Sequence, residues 1–212
     1  MISGDLFRRI SSLLEHAATP YMLTGSFASS VYGIHRGSPN INFIIAADET
    51  GIRRLLDRLP QLDFYSDLGH ALDACRDGSM FCVIDHVTGL KIDFIFLKNR
   101  EFSQEEFGRR NKGVSVGHLA LIATPEDVVI EKLEWEKLGK SSRQIQDAAG
   151  ILKVRGAELD FSYIQKWVQE LGLVSQWSQA RRLRTWISNS HKVKTNSNQN
   201  LQFPRPEAYL MM

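Results

Sequence analysis

A β-hairpin near the middle of the chain constrains the fold more than any other feature of the sequence. Residues 80–96, MFCVIDHVTGLKIDFIF, contain two β-rich runs on either side of a turn that includes Gly89. This pattern is typical of a hairpin. Because the rest of this half of the chain mixes short strands with helices, the hairpin excludes a purely parallel sheet. The sequence therefore predicts an α/β fold of the α+β kind, with a mixed sheet and flanking helices.

The elements before residue 124 are short and alternate in type. Apolar residues recur at helical spacing near the N-terminus, and Pro20 ends that segment. Helices are predicted at residues 4–18, 26–34, 50–59 and 66–76. Further strands are predicted for YMLTG at 21–25, INFIIAA at 41–47 and VSVGHLALIA at 114–123.

At Thr124 the pattern becomes helical. Thr-Pro-Glu-Asp places a capping residue before a proline at the first helical position, with an acid three residues after the cap. Helical patterns then continue to about residue 187, and residues 189–212 contain little to bury. The predicted division is a core at 1–123, a C-terminal helical segment at 124–188 and a disordered tail at 189–212.

Composition and charge narrow the class of protein. Of the 212 residues, 43% are hydrophobic and 24% charged, as in globular proteins that do not span a membrane. The net charge of +2 comes from the segment after residue 187, so the rest is neutral, which argues against nonspecific binding of nucleic acid. No apolar run approaches the roughly 18 residues of a membrane span. Cys75 and Cys82 lack metal-type spacing, and we expect a cytoplasmic protein with reduced thiols.

Four polar positions and one glycine form a possible site. Gly25 and Ser26 lie in TGSFASS, where a helix is expected to begin with Ser26 as its cap, and N–H groups at a helix start can bind phosphate. The same turn also occurs without a ligand. Asn40 and Asn42 alternate on the next strand and share one face, and Asp93 points away from the apolar face of its own strand. Each position alone has an ordinary explanation in a turn or in solvent.

In combination these residues resemble the nucleotidyltransferase superfamily of DNA polymerase β type, and especially its small bacterial single-domain members. The family has a Gly-Ser or Gly-Gly turn, an Asp-x-Asp pair on the next strand and a third acid on a neighbouring strand. Gly25, Ser26 and Asp93 match this pattern, whereas Asn40 and Asn42 stand at the two metal-binding aspartate positions. The resemblance extends more loosely to the toxin components of abortive-infection systems.

Residues 123–152 resemble the helical segment of the same family, in which a lysine and a later aspartate flank the nucleotide. The resemblance implies this role for Lys132 and Asp147. Lys132 could instead lie on a solvated helix face. Arg36 and Arg143 are further candidates for contact with a triphosphate, although Arg143 could instead pair with Asp147, four residues along the helix. The four tryptophans are expected in the helical core: Trp135, Trp167, Trp177 and Trp186.

The resemblance implies transfer of a nucleoside monophosphate from a nucleoside triphosphate to an acceptor hydroxyl, with Mg²⁺ as cofactor. The acceptor could be a tRNA end, a protein side chain or a small molecule. Magnesium prefers carboxylates, so with Asn40 and Asn42 neutral we expect a loss of roughly thousandfold or more in rate. Three accounts stay open: a natural pseudoenzyme that binds nucleotide, a regulatory module with a protein partner as in toxin–antitoxin pairs, or an active enzyme whose aspartates were replaced by engineering.

Overall fold

A computed structural model describes residues 2–33, 40–115 and 117–185. Within these residues the strands form one seven-stranded sheet in the order β3-β4-β5-β2-β1-β7-β6. The strands are β1 Tyr21–Thr24, β2 Asn40–Ile45, β3 Phe64–Tyr65, β4 Met80–Asp85, β5 Lys91–Phe96, β6 Asn111–Ser115 and β7 His118–Ile122. The sheet is mixed, as predicted: β2 is parallel to β5 but antiparallel to β1, and β1 is parallel to β7.

Helices flank the sheet, and several of them begin at side-chain caps. They are α1 Ile2–His16, α2 Gly25–Tyr32, α3 Glu49–Asp57, α4 Leu68–Asp77, α5 Glu101–Arg109, α6 Pro125–Gly139, α7 Ser142–Arg155 and α8 Phe161–Glu170, and residues 174–185 are also helical. Asp48 and Asp67 accept backbone N–H groups at the starts of α3 and α4. The described helices include none long and apolar enough to cross a membrane.

One face of the sheet forms the main hydrophobic core. Phe81, Phe94 and Phe43 come from adjacent strands in register, and Phe7 from α1 stacks on Phe43 at a centroid distance of 6.0 Å. All four rings are buried. Because side chains alternate along a strand, this packing turns the residues between the phenylalanines to the opposite face.

The hairpin prediction is confirmed, and the single strand predicted at 114–123 is wrong. β4 and β5 pair antiparallel, and Gly89 between them has φ +69°. In the 114–123 segment, Gly117 has φ +83°, a conformation that interrupts a strand. The chain therefore folds back, and β6 and β7 pair antiparallel. Two elements, β3 and α5, were not predicted.

Two capping predictions have different outcomes. Thr124 accepts the N–H of Asp127 at the start of α6, as predicted. Ser26 is not a cap, because α2 begins one residue earlier and Thr24 is its N-cap residue. Thr24 makes no side-chain bond to the α2 backbone, since its hydroxyl donates to Glu131 of α6.

The tryptophan prediction holds for two residues. Trp167 and Trp177 are buried in the helical segment. Trp135 is 42% exposed, because α6 turns it out of the core, and the prediction for it is wrong. Trp186 and the tail lie outside the described residues.

Candidate functional site

The sheet register brings the predicted strand residues together on one face. Thr24 pairs with Asn42 across β1 and β2, and Asn42 pairs with Asp93 across β2 and β5. Residues paired in register point to the same side of a sheet. Asn40 shares this face because it lies two residues before Asn42.

Asn40 and Asp93 contact each other directly. The amide Nδ2 of Asn40 donates a hydrogen bond of 3.1 Å to Oδ2 of Asp93. The side chain of Asp93 is 6% exposed, and burial raises the pKa of its carboxyl, while the bond from Asn40 acts in the opposite direction. The carboxylate therefore obtains a donor from the amide that stands where the family has an aspartate.

The start of α2 lies against Asn42. Gly25 has φ +68°, a conformation that favours glycine. A Cβ built on Gly25 would lie 3.1 Å from Cγ of Asn42, so the turn and the strand side chain are in close contact. The three elements that carry the family pattern are thus neighbours in space.

Glu131 of α6 also contacts the start of α2, and this residue was not predicted from the sequence. Its Oε2 accepts the hydroxyl of Thr24 and, at 3.4 Å, the N–H of Gly25. A negative charge at this place is favoured by the helix dipole of α2. Glu131 therefore contacts one of the N–H groups that a phosphate could use. The signal in the sequence was its position next to Lys132, which the family pattern did point to.

Lys132 lies between α2 and α7. Its Nζ is 3.1 Å from Oδ2 of Asp147 and 3.4 Å from the hydroxyl of Ser26. The two charged side chains are 3% and 6% exposed. The solvated-face alternative for Lys132 is therefore wrong. The helix can bury this lysine because α7 supplies the opposite charge.

The two arginine candidates are not both part of this cluster. Arg143 is exposed, near the start of α7. The predicted alternative partner of Arg143, Asp147, forms its ion pair with Lys132 instead. Arg36 lies outside the described residues.

The donor set on the sheet does not fit the Mg²⁺ that the fold family implies. Asp93 is one carboxylate, and its Oδ2 already accepts a hydrogen bond from Asn40. Magnesium requires oxygen ligands and favours carboxylates, whereas Asn40 and Asn42 can offer only neutral carbonyl oxygens. Within residues 2–33, 40–115 and 117–185, no group of three or more His, Cys, Asp or Glu side chains is placed to hold a metal ion.

The fold is similar to that of solved nucleotidyltransferase-like proteins. ANT(2'')-Ia in complex with adenylyl-2''-tobramycin matches with a TM-score of 0.54 and 11% identity, over 84% of this chain and 99% of that chain. An antigenic nucleotidyltransferase-like protein from Paracoccidioides brasiliensis matches with a TM-score of 0.51 and 14% identity, over 84% of this chain and 91% of that chain. At such identities the likeness shows the fold alone, which is nucleotidyltransferase-like. No protein-family model matches the sequence, and no curated protein matches it.

Proposed function

We propose that this protein binds a nucleoside triphosphate at the start of α2 and belongs by descent to enzymes that transfer a nucleoside monophosphate to an acceptor hydroxyl. In its present sequence it is a poor catalyst. The observation that carries the proposal is the contact of the Gly25 turn with Asn42, which lies in register with Asp93. This arrangement reproduces the family pattern in space.

Lys132 and the first turn of α2 support nucleotide binding. The N–H groups at a helix start and a nearby ammonium are both suited to phosphate. Lys132 lies within 3.4 Å of the hydroxyl of Ser26 in that turn. The contact of Glu131 with the Gly25 N–H opposes an incoming phosphate, so we expect weak binding. In this proposal Asp147 holds Lys132 in position, and Arg36 and Arg143 remain candidate contacts.

Impaired catalysis follows from the chemistry of the donors. Asn40 and Asn42 supply no negative charge, and Asp93 is engaged by Asn40. Without a fitted metal, the protein lacks a stabilising effect worth several kcal/mol of barrier in such reactions. We therefore expect nucleotide binding to depend little on magnesium.

The hydrogen bond between Asn40 and Asp93 favours a second candidate function, a non-catalytic regulatory module. This bond gives Oδ2 of Asp93 a donor from the protein itself, which is compatible with a site that has no catalytic role. Such a module would act through bound nucleotide or through a protein partner. The two candidates differ in whether nucleotide binding has a chemical consequence.

Isothermal titration calorimetry with ATP, GTP, CTP and UTP tests nucleotide binding. We expect at least one triphosphate to bind with a Kd between about 0.1 and 1 mM, with less than a threefold change when EDTA replaces magnesium. Ser26→Asp, which places a carboxylate beside the phosphate position, should abolish that binding. A matched control is Ser12→Asp on the remote helix α1. If no triphosphate binds at millimolar concentration, the proposal is wrong and the fold serves another purpose.

A further inference from the structure

A cavity of about 90 Å³ opens on the same sheet face as the candidate site. Its floor includes Ile44 and Ile95, which lie two residues beyond Asn42 and Asp93 on the same strands. The cavity therefore continues the face that carries the candidate nucleotide site, on the side away from residue 40.

Three glutamates line this cavity, and two of them have donors. Glu134 forms two bonds of 2.6 Å with the guanidinium of Arg100. Glu131 accepts Thr24 through one oxygen and, through the other, the indole N–H of Trp135 at 3.3 Å. Both carboxylates are therefore satisfied by the protein itself.

Glu106 of α5 differs from the other two. It is 4% exposed and lines the cavity, and it has no hydrogen-bond partner among the described residues. Burial and the nearby carboxylates of Glu131 and Asp127 raise its pKa well above the usual range, while Arg100 acts in the opposite direction. Because this carboxyl lines the cavity and accepts no hydrogen bond from the described residues, it is available to accept one from a bound ligand.

We propose that the cavity is the acceptor side of the cleft and binds a hydroxyl-bearing compound through its protonated amine, with Glu106 as the receiving group. This inference rests on the function proposed above. An ammonium supplies hydrogen-bond donors together with a positive charge, and so offsets both the missing partner and the repulsion among the carboxylates.

The residues at the rim of the cavity indicate the chemical character of the part of the ligand that lies outside the cavity. Trp135 is 42% exposed and Leu138 is 75% exposed, and both line the opening. The cavity itself has room for about three water molecules, which suits an amine group and not a whole ligand. The ligand therefore places its amine in the cavity and an apolar ring or chain against Trp135 and Leu138.

Three matched probes test this inference: tyramine, which is cationic, tyrosol, which is neutral, and 4-hydroxyphenylacetate, which is anionic. The chemical shift of the Trp135 indole N–H, followed by NMR, reports binding at the rim. We expect tyramine to bind at least tenfold more tightly than tyrosol, and the anion not to bind. Glu106→Gln should remove the preference for tyramine over tyrosol.

Two further variants keep the test independent of folding. Glu105→Gln is the matched control, because Glu105 lies next to Glu106 but pairs with Lys166 outside the cavity. Leu138→Lys adds a positive charge at an exposed rim position and should weaken tyramine binding without disturbing the core. The Glu105 variant should bind tyramine as the unaltered protein does.

The outcomes separate this inference from the proposed function. Equal affinity for tyramine and tyrosol, tighter binding of the anion, or an unchanged preference in Glu106→Gln would overturn the cavity assignment, whether or not nucleotide binds. Glu106-dependent binding of tyramine by a protein that binds no triphosphate would support the cavity and overturn the nucleotide proposal.

Discussion

Carboxylates in two neighbouring parts of one sheet face differ in their hydrogen bonding. At Asn40, Asn42 and Asp93, two amides stand beside one acid, and one of the amides donates to it. At the cavity a few residues along the same strands, Glu106 is buried and receives no hydrogen bond from the residues that the structure describes. The chain thus has amides at two of these three positions, and it has a buried glutamate nearby. The amine ligand proposed above would supply Glu106 with the kind of donor that Asn40 supplies to Asp93.

The largest expected effect is on the free energy of unfolding, and it concerns a third group on the protein, the buried ion pair of Lys132 and Asp147. Lys132→Met removes one charge of a buried ion pair, and such losses cost about 3–5 kcal/mol in the free energy of unfolding. Urea denaturation measures this change. Lys137→Met, at an exposed position of the same helix, is the control and should change stability by less than about 1 kcal/mol. A loss for Lys132→Met as small as the control would mean that the ion pair does not hold the helices together.

The second prediction concerns a variant in which the strand site, like the cavity, contains three carboxylates. Asn40→Asp with Asn42→Asp places three carboxylates together, and their repulsion should lower stability by about 1–3 kcal/mol at neutral pH without metal. Magnesium should then raise the Tm of the double variant, because a cation bound only by the folded state stabilises it. Differential scanning calorimetry with and without MgCl₂ measures this shift.

The control for that experiment is Asn111→Asp on the exposed part of β6. The unaltered protein and this control should show no rise in Tm with magnesium. A double variant that is equally indifferent to magnesium would show that the site has changed in more than two charges.

The third prediction concerns a variant in which an amide replaces one carboxyl of the cavity, so that the cavity, like the strand site, combines amide and acidic side chains. The pKa of Glu106 is raised by folding, so its ionisation opposes folding as pH rises above the pKa that it has in the unfolded chain. Glu106→Gln should therefore be more stable than the unaltered protein at pH 8, by about 1–2 kcal/mol or roughly 2–8 °C in Tm, and the difference should shrink towards pH 4. Thermal melts across this range measure it.

Glu105→Gln again serves as the control, because Glu105 is partly exposed and ion-paired. A stabilisation in Glu106→Gln that does not vary with pH would show that ionisation of Glu106 is not its cause.

The smallest expected effect is on nucleotide affinity and concerns Glu131. This residue contacts the start of α2 and also lines the cavity. Glu131→Gln keeps an acceptor for Thr24 but removes a negative charge from the start of α2. Triphosphate affinity should rise about three- to tenfold, or less than about 1.4 kcal/mol. Calorimetry with the best-bound nucleotide measures the change, with Glu136→Gln of the same helix as the control. Weaker binding in Glu131→Gln would show that this carboxylate assists the nucleotide.

Local signals in the sequence were sufficient for much of this molecule. The hairpin at 80–96, the cap at Thr124 and the mixed sheet depend on short-range chemistry and on alternation along each strand, and all three are confirmed. The shared face of Asn40, Asn42 and Asp93 was accessible for the same reason. Where a local preference was ambiguous, as in the glycine turn that divides 114–123, the prediction was wrong.

Only the tertiary structure determined which charged side chains are buried and which residues they contact. The partners Lys132 and Asp147 lie on separate helices, and Glu131 meets Thr24 across more than a hundred residues. Glu106 belongs to a helix that was not predicted, and nothing within its own segment distinguishes it from the adjacent Glu105. Burial and pairing depend on which distant segments pack together, and a carboxylate has the same sequence signature in solvent as in a cavity.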